Sequence, residues 1–404
     1  METIIPAPPA PAAIDILQHD LHQHFPAIAA TGSTPALLAS PLYAQLKPEI
    51  TRILDTVAQE NYAPAPATID AGPGVRAVAW NIERGACFAG IVRELRENPH
   101  LCEADVLLLT ELDYGMARSA NRCVPRELAQ ELGMNYAFAT CYINLAKGNG
   151  WDVRVSGENA LGLHGNAILS RWPIRNAQLV RLPNGKDKMR GTEKRLGSQA
   201  AVVADIAHPS GTFRTASIHL DAHSSQKFRQ AQMRLVLERI EAMQPSVLPI
   251  LIGGDWNTTT YNSSKAVYSI AGFWRRCTMG VSHMLKHHFL EPERWFERGL
   301  FRDLERYGYA YRALNQPQTG TLHYDMKDLA ANTNMRDWVP NWCFWFINRA
   351  LEPHNGICSL KLDWFAGRGL QIDTTQPPHV VGQMRDTGGG PLSDHDALTL
   401  HFTL

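Results

Sequence analysis

Residues 248–257 read LPILIGGDWN, an apolar run that ends at two glycines and is followed at once by an aspartate. A short run of Leu and Ile bounded by turn residues is typical of a strand that is buried on both faces. We therefore predict a strand over residues 248–252, with Asp255 and Asn257 just beyond its end. Open α/β sheets bind their ligands beyond strand ends of this kind. This stretch therefore indicates the fold class and also where the chemistry lies.

The same pattern recurs from residue 75 to the end of the chain. Further short apolar runs predict strands at 75–80, 106–110, 167–170, 199–206, 213–218, 360–365 and 397–402. Apolar positions at helical spacing predict helices at 91–97, 125–132 and 227–243. Strands that alternate with helices predict an α/β fold.

Composition limits the class of protein. The chain has 404 residues, 45% of them hydrophobic, which is enough for a large core. Lys+Arg and Asp+Glu both total 39, so there is no global basic field for nucleic acid, although a local basic groove stays open. The seven Cys form no CxxC pair, which argues against a disulfide framework. With neither a signal peptide nor an apolar run of about 20 residues, we expect a cytoplasmic protein without a transmembrane segment.

The chain divides into three regions by composition. Residues 1–70 are expected to form a partly helical N-terminal extension, because a Pro/Ala-rich start is followed by apolar positions at helical spacing. Residues 71–404 are expected to form the catalytic domain, with an aromatic-rich insertion at about 261–353. Connections beyond about 12–15 residues usually carry function or structure of their own. We therefore expect helices in the insertion, for example near 292–307, at the rim of the site.

Polar residues follow or interrupt the predicted strands at several points of the chain. In chain order they are Asn81, Glu83, Glu111, His219, Asp255, Asn257, Asp363, Asp394 and His395. One such residue alone means little, since Asp255 and Asn257 by themselves would suit an Asx-turn. As a set, carboxylates with an Asn carbonyl are ligands that Mg²⁺ or Mn²⁺ prefers, and the missing thiolates argue against structural zinc.

Blocks around these residues resemble a known family. They are WNIERG (80–85), TELD (110–113), GNAILSRWPI (165–174), SIHLDAH (217–223), IGGDWN (252–257), KLDWF (361–365) and SDHDAL (393–398). In this order they resemble the endonuclease/exonuclease/phosphatase superfamily, the deoxyribonuclease I and apurinic-endonuclease type, from about residue 75 to the end. The resemblance implies two mixed β-sheets stacked as a sandwich and flanked by helices in four layers.

The resemblance also implies residue roles. Glu111 would hold the metal, Mg²⁺ or Mn²⁺, together with Glu83 and Asp394, and Asn81 would belong to the same cluster. The family more often has Asp at the position of Glu83, so this residue departs from the pattern.

The remaining residues are assigned to the reacting phosphate. Asp255 would orient or deprotonate the attacking water, and Asn257 would contact the phosphoryl oxygens. His219 and His395 would donate hydrogen bonds to those oxygens, with Asp363 orienting His395. In the insertion, Trp338, Trp342 and Trp345 are our candidates for a substrate wall.

Three functions fit this reading. The first is a metal-dependent phosphoesterase acting on a small-molecule or lipid-linked phosphate ester. The second is a metal-dependent nuclease, for which Arg84, Arg118, Arg122 and Arg195 would supply local positive charge. The third is a non-catalytic binding protein on the same fold. The substrate, the choice between monoester and diester, and the oligomeric state stay open.

Overall fold

The computed structural model describes residues 15–64, 72, 74–150, 152–259, 262, 264–326 and 341–404, with some side chains omitted at 266–277 and 341–346. The α-helices in these ranges are α1 Phe25–Ala30, α2 Thr34–Leu38, α3 Pro41–Asp55, α4 Phe88–Glu97, α5 Val124–Leu132, α6 Gln226–Ala242, α7 Ala266–Met279, α8 Val281–His283, α9 Arg298–Arg306 and α10 Asn341–Leu351. The strands are β1 Val57–Glu60, β2 Val75–Arg84, β3 Val106–Tyr114, β4 Asn135–Asn144, β5 Leu163–Ser170, β6 Ile174–Arg181, β7 Arg195–Gly197, β8 Ala200–His208, β9 Gly211–Ser217, β10 Ile250–Asp255, β11 Leu322–Asp325, β12 Ile357–Leu360, β13 Asp363–Arg368, β14 Gln371–Ile372, β15 His379–Val381 and β16 Ala397–Thr403.

Two mixed sheets carry the fold. The large sheet has the strand order β1-β4-β5-β3-β2-β16-β14, with β7 paired to β4 and β15 paired to β16. The small sheet has the order β13-β10-β9-β8-β6, and β11 with β12 forms a separate two-stranded ribbon. The pairs β2–β3 and β9–β10 are parallel. Because parallel strands end at the same edge, each pair places its following residues side by side.

Alternation along the strands separates two faces of each sheet. In β2, Val75, Ala77 and Ala79 belong to a buried cluster shared with the small sheet, whereas Val78 and Trp80 belong to the cluster under the helices. The small sheet likewise packs its outer face against α6 and α9. The order is therefore helices, sheet, sheet, helices, and the expected four-layer α/β sandwich is confirmed.

The predicted helices and most predicted strands are present, with shifted ends. One strand prediction was wrong, because residues 360–365 do not form a single strand. The chain breaks between Leu360 and Asp363, so that β12 pairs in the ribbon and β13 pairs in the small sheet. Strands β1, β4, β6, β7, β11, β14 and β15 were not predicted from the sequence.

The N-terminal region is helical, as expected. Leu17, Ile28 and Ile53 are fully buried in the cluster that covers the large sheet, and β1 pairs with β4 of that sheet. Residues 1–14 lie outside the described residues. The division of the chain at about residue 70 stays a prediction.

The insertion contains the helices that were expected. A 3-10 turn at Pro292–Arg294 and helix α9 fall where the sequence indicated helix near 292–307. None of the helices in the described ranges is long and apolar enough to cross a membrane.

Candidate active site

Unusual backbone conformations occur at the end of β2, inside β3 and just after β10. Glu83, Glu111 and Asn257 have positive φ values of 44°, 58° and 48°. This left-handed region is uncommon for residues other than glycine and costs free energy unless the surroundings enforce it. Near Asn81 and Leu109 the ladders of β2 and β3 also shift register. The irregular backbone turns the following side chains away from the regular strand direction, and the resulting site lies at this edge of the two sheets.

Asp255 is the centre of the site. Its Oδ2 accepts hydrogen bonds from Asn81 Nδ2 and from Asn257 Nδ2, both at 3.2 Å, and lies 3.3 Å from His219 Nε2. Its Oδ1 accepts from the Asn257 backbone amide at 2.8 Å. Asn257 Nδ2 also donates to the Leu220 carbonyl at 3.0 Å, which ties the ends of β9 and β10 together. The carboxylate of Asp255 is thus buried and held in one orientation.

Asp363 and His395 form a second buried pair. His395 Nδ1 lies 2.7 Å from Asp363 Oδ2, and His395 Nε2 lies 3.8 Å from Asp255 Oδ2. Burial alone would lower the pKa of His395, but Asp363, Asp255 and Asp394 together raise it well above its usual 6.5. Because Nδ1 is engaged by Asp363, Nε2 is the ring nitrogen that lies toward Asp255.

Glu111 lies on the other side of His219. Its Oε1 is 4.0 Å from His219 Nε2, and its backbone amide donates to Asn166 Oδ1 at 3.3 Å. Burial would raise the pKa of Glu111, but His219, His164 and Arg84 outweigh it and lower the pKa to about 2. Glu111 is therefore an anion at neutral pH, in a position to bind a cation.

Glu83 and Asp394 meet at the remaining edge of the cluster. Glu83 Oε2 accepts from the Asp394 backbone amide at 3.0 Å, and the Glu83 amide donates to Asn81 Oδ1 at 3.1 Å. With these contacts the structure connects all nine polar residues that the sequence singled out. They come from strand ends separated by about 300 positions in the chain.

The donor set fits a hard divalent cation. Among the described residues, Asp255, Asp363 and His395 are the only group of three or more His, Cys, Asp or Glu with ligand atoms all within 4.8 Å of one another. Asp363 Oδ1 is buried and has no hydrogen-bond partner. The group expected from the sequence, Glu83 and Glu111 with Asp394, is more widely spaced. The site thus contains a possible acidic metal cluster and further carboxylates beside it.

The four arginines considered for local charge each contact a carboxylate. Arg118 makes two hydrogen bonds to Asp113, at 2.8 and 2.9 Å, and its side chain is buried. The other three pairs are Arg84–Asp152, Arg122–Glu127 and Arg195–Glu193. Their positive charge is therefore largely compensated.

The structure describes the three tryptophans proposed for the substrate wall to different extents. Trp345 is 66% exposed on α10. Trp338 lies outside the described residues, and Trp342 is described only as part of the backbone of α10. Their contact with substrate stays a prediction.

Two polar residues that support the site were not foreseen. Thr321 Oγ1 donates to Asp363 Oδ2 at 2.6 Å and accepts from the Asp363 amide at 3.1 Å. It lies far from the other blocks in sequence, and no local pattern marks it. Asn166, which accepts from the Glu111 amide, could have been predicted from the sequence, because an Asn inside the apolar run of GNAIL needs a buried hydrogen-bond partner.

Comparison with curated proteins gives no match. Among solved structures, the chain is similar to an endonuclease/exonuclease/phosphatase from Beutenbergia cavernae, with 17% identity over 82% of this chain and 72% of that chain and a TM-score of 0.49. It is also similar to the human Nocturnin catalytic domain, with 16% identity over 86% and 96% and a TM-score of 0.44. A third similar structure is the 3'-5' exonuclease from Neisseria meningitidis, with 14% identity over 82% and 100% and a TM-score of 0.46. These distant likenesses carry no conclusion about substrate. The model of the Endonuclease/Exonuclease/phosphatase family matches residues 78–395, which is most of the sequence, and the chain therefore belongs to this family.

Proposed function

We propose that this protein is a metal-dependent phosphoesterase that hydrolyses a phosphate ester of a small molecule or of a lipid head group by in-line attack of water. The observation that carries the proposal is the position of Asp255. One buried carboxylate is held by Asn81 and Asn257 and lies between two imidazoles, His219 at 3.3 Å and His395 at 3.8 Å. A base beside two donors is what water attack on a phosphate ester requires.

Each group has a task in this proposal. Asp255 orients the attacking water and accepts its proton. His219 and His395 donate hydrogen bonds to the phosphoryl oxygens as negative charge develops there. Asn257 holds Asp255 and contacts the same phosphoryl group. In-line attack by water needs no covalent intermediate with the protein.

Metal binding is assigned to the Glu111 side of the site, with Glu83, Asp394 and Asn81. Bound there, Mg²⁺ or Mn²⁺ would neutralise the charge of the phosphate. The alternative group, Asp255 with Asp363 and His395, suits an ion less well, because its ligand atoms already contact one another. His395 Nδ1 lies 2.7 Å from Asp363 Oδ2, and the same oxygen accepts a hydrogen bond from Thr321 Oγ1 at 2.6 Å.

The charge around the site favours a compact ester over nucleic acid. A nuclease needs several cations free to follow a phosphate backbone. Here Arg84, Arg118, Arg122 and Arg195 each contact a carboxylate, and the net charge of the chain is zero. A nuclease is the alternative function, and the experiment below distinguishes it from a hydrolase of small or lipid-linked esters.

The test is a hydrolysis panel on the full chain with Mg²⁺, Mn²⁺ or EDTA. The panel contains bis(p-nitrophenyl) phosphate, inositol phosphates, lipid head-group esters, nucleotides, and single- and double-stranded nucleic acid. We expect metal-dependent release of phosphate or alcohol from the small or lipid esters.

The matched variants are Glu111→Gln and Glu238→Gln, the second being an exposed glutamate on α6. A neutral amide is a poor substitute for a carboxylate ligand, so Glu111→Gln should weaken metal binding in calorimetry and lower turnover by about 10²-fold or more. Glu238→Gln should behave as wild type. Activity that persists in EDTA, or wild-type turnover in Glu111→Gln, would refute the proposal. Fast cleavage of nucleic acid, with no hydrolysis of the small or lipid esters, would establish that the protein is a nuclease.

A further inference from the structure

Helix α7 exposes the side of the helix that a soluble protein normally buries. Val267, Ile270, Ala271 and Trp274 follow the spacing i, i+3, i+4 and i+7, which places them on one stripe. Val267 is 62% exposed, Ile270 60% and Trp274 63%, and Ala271 is exposed as well. We call these four residues the α7 face. An apolar stripe of this kind usually packs against a core, but here it faces outward.

Exposed apolar side chains are concentrated in the segment of chain that contains this face. Of the twelve large hydrophobic residues that are exposed in the described parts of the chain, six lie within 261–353. They are Val267, Tyr268, Ile270, Trp274, Trp295 and Trp345. All three exposed tryptophans are among them, whereas the other six exposed residues are scattered. Grouped apolar exposure marks an interaction surface, since single exposed residues are ordinary.

Basic residues predominate in the stretch of chain that contains the face. Residues 261–290 contain four Lys or Arg and three His, and no Asp or Glu. Arg275 is exposed directly after Trp274, whereas Arg349 on α10 pairs with Glu352 at 3.3 Å. Aliphatic and Trp side chains with basic neighbours are the composition of helices that lie in a membrane interface and bind anionic lipids. This charge complementarity identifies an anionic lipid surface as the occupant.

The segment that bears the face is attached at the catalytic edge. Thr258, next to Asn257, donates from Oγ1 to the Lys361 carbonyl at 2.7 Å. The Lys361 amide in turn donates to the carbonyl of Phe289 at 3.0 Å. Lys361 precedes Asp363 by two residues, so both ends of the insertion are anchored to the strands that carry the site. A surface that touched α7 would therefore be connected to the active site by a short, hydrogen-bonded path.

We propose that the α7 face docks in the plane of an anionic membrane surface, and that the ester hydrolysed is in the head group of a lipid of that surface. The first half concerns binding alone. The second half rests on the proposed function and selects its lipid-linked substrate class.

Vesicle co-sedimentation tests the docking. The full chain, with EDTA present to stop turnover, is mixed with vesicles of phosphatidylcholine alone or of phosphatidylcholine with phosphatidylglycerol. We expect binding to the anionic vesicles that weakens as salt is added, because surface charges are screened. The variant Val267→Asp/Ile270→Asp should bind at least about tenfold more weakly, since two apolar contacts are lost and two like charges are added.

The control is Val247→Asp, which adds one negative charge, against two in the double variant, at a valine that is 91% exposed away from the insertion. It should bind as wild type. Docking is refuted if wild type stays in the supernatant at low salt, or if the double variant binds as wild type does. Docking is also refuted if wild type is a dimer in solution and the double variant is a monomer. It is refuted as well if the double variant is cleaved faster than wild type within residues 327–340. In those cases the face is covered by a second copy or by this chain's own segment.

Failure of the docking can be distinguished from failure of the proposed function. The double variant should hydrolyse bis(p-nitrophenyl) phosphate at the wild-type rate and lose activity only on vesicle-bound lipid esters. Loss of activity on both substrates would contradict the assignment of the α7 face to docking. A chain that binds vesicles but hydrolyses no phosphate ester would leave docking in place and refute the phosphoesterase.

Discussion

Two carboxylates face each other in the buried part of the site. Asp255 of β10 and Asp363 of β13 are direct partners in the antiparallel register. Like charges opposite each other in a sheet destabilise it unless a cation lies between them. His395 supplies that cation, with Nδ1 at 2.7 Å from Asp363 and Nε2 at 3.8 Å from Asp255. The orientation and charge of His395 are therefore set by Asp363.

Asp363→Asn tests this arrangement at the scale of one residue. The amide keeps the size of the side chain but removes the negative charge that holds the imidazole as a donor. We expect kcat to fall by about 10²-fold or more, with KM and metal affinity nearly unchanged. Steady-state kinetics with metal calorimetry measures both, and a melting curve shows whether the variant is folded.

Asp373→Asn, at a half-buried carboxylate in the loop after β14, is the control. It should change none of the three quantities. If the Asp363→Asn variant is folded and its kcat stays within a few-fold of wild type, then His395 is not positioned by Asp363 and its assigned role is wrong.

The identity of the site residues could be read from the sequence, but not their geometry. Strand ends and block order pointed to nine polar residues that contact one another in the structure. The left-handed backbone at Glu83 and Glu111 has no sequence signal, because Glu does not favour positive φ. Asn257 is different, since Asn adopts this region more readily. The contact between Thr321 and Asp363 depends on the path of the insertion, which local patterns do not encode.

At the scale of elements, the missed strand β4 shows the limit of pattern reading. Its ten residues, NYAFATCYIN, are all buried, because β1 and β5 flank it in the large sheet and both faces are covered. A strand buried on both faces shows no polar–apolar alternation. Asn135, Thr140 and Asn144 also interrupt its apolar run. The predicted strands at 106–110 and 167–170 begin instead with uninterrupted apolar runs, VLLL and AIL.

The two glycines of β10 are required by the close packing of the chain around this strand. A Cβ at Gly254 would lie 2.3 Å from the Ile218 carbonyl oxygen of the neighbouring chain segment, and the φ of Gly254 is +129°. Gly253 in turn faces Leu108 and Phe365, each within 2.8 Å of an added Cβ. The glycines therefore permit the close approach that places Asp255 beside His219.

We predict that Gly254→Ala forces β10 away from β9. Stability should fall by more than about 2 kcal/mol, and activity should fall further than stability explains, because the distance from Asp255 to His219 changes. The measurements are urea unfolding and turnover at a temperature where the variant is folded.

Gly133→Ala provides the matched control. Gly133 ends α5 with φ +60°, but an added Cβ there meets nothing within 4 Å. This variant should lose only about 1 kcal/mol from backbone strain and keep full activity. If the two variants lost equal stability and activity, Gly254 would be required for its positive φ and not for the close approach to Ile218.

At the scale of the whole molecule, the N-terminal region completes the outer layer of the large sheet. Leu17, Leu21 and Phe25 lie in the same buried cluster as Tyr114 and Phe138 of the sheet. The sequence predicted helices here from apolar spacing, but spacing alone does not say which surface a helix covers. The packing follows from long-range complementarity with the sheet, which local patterns do not contain.

His19 offers a measurement of this packing through pH. It is 4% exposed, and its Nδ1 accepts from the Leu21 amide at 3.1 Å. Burial lowers the pKa of His19 to about 4, against a smaller opposing effect of Glu49. Between pH 6.5 and 4 the unfolded chain therefore binds a proton that the folded chain does not. Stability is lost as pH falls through that window, by up to about 3 kcal/mol from this residue.

His19→Asn should remove this contribution, because its side-chain oxygen can still accept from the Leu21 amide but does not titrate. We expect urea unfolding between pH 6.5 and pH 4 to show a shallower loss of stability in His19→Asn than in wild type. His22→Asn, at an exposed histidine of the same region, should keep the wild-type slope. Other buried histidines affect all three proteins equally, so the difference in slope isolates His19. Parallel curves for wild type and His19→Asn would mean that His19 titrates alike in the folded and unfolded chains, and that the N-terminal region does not share the core of the large sheet.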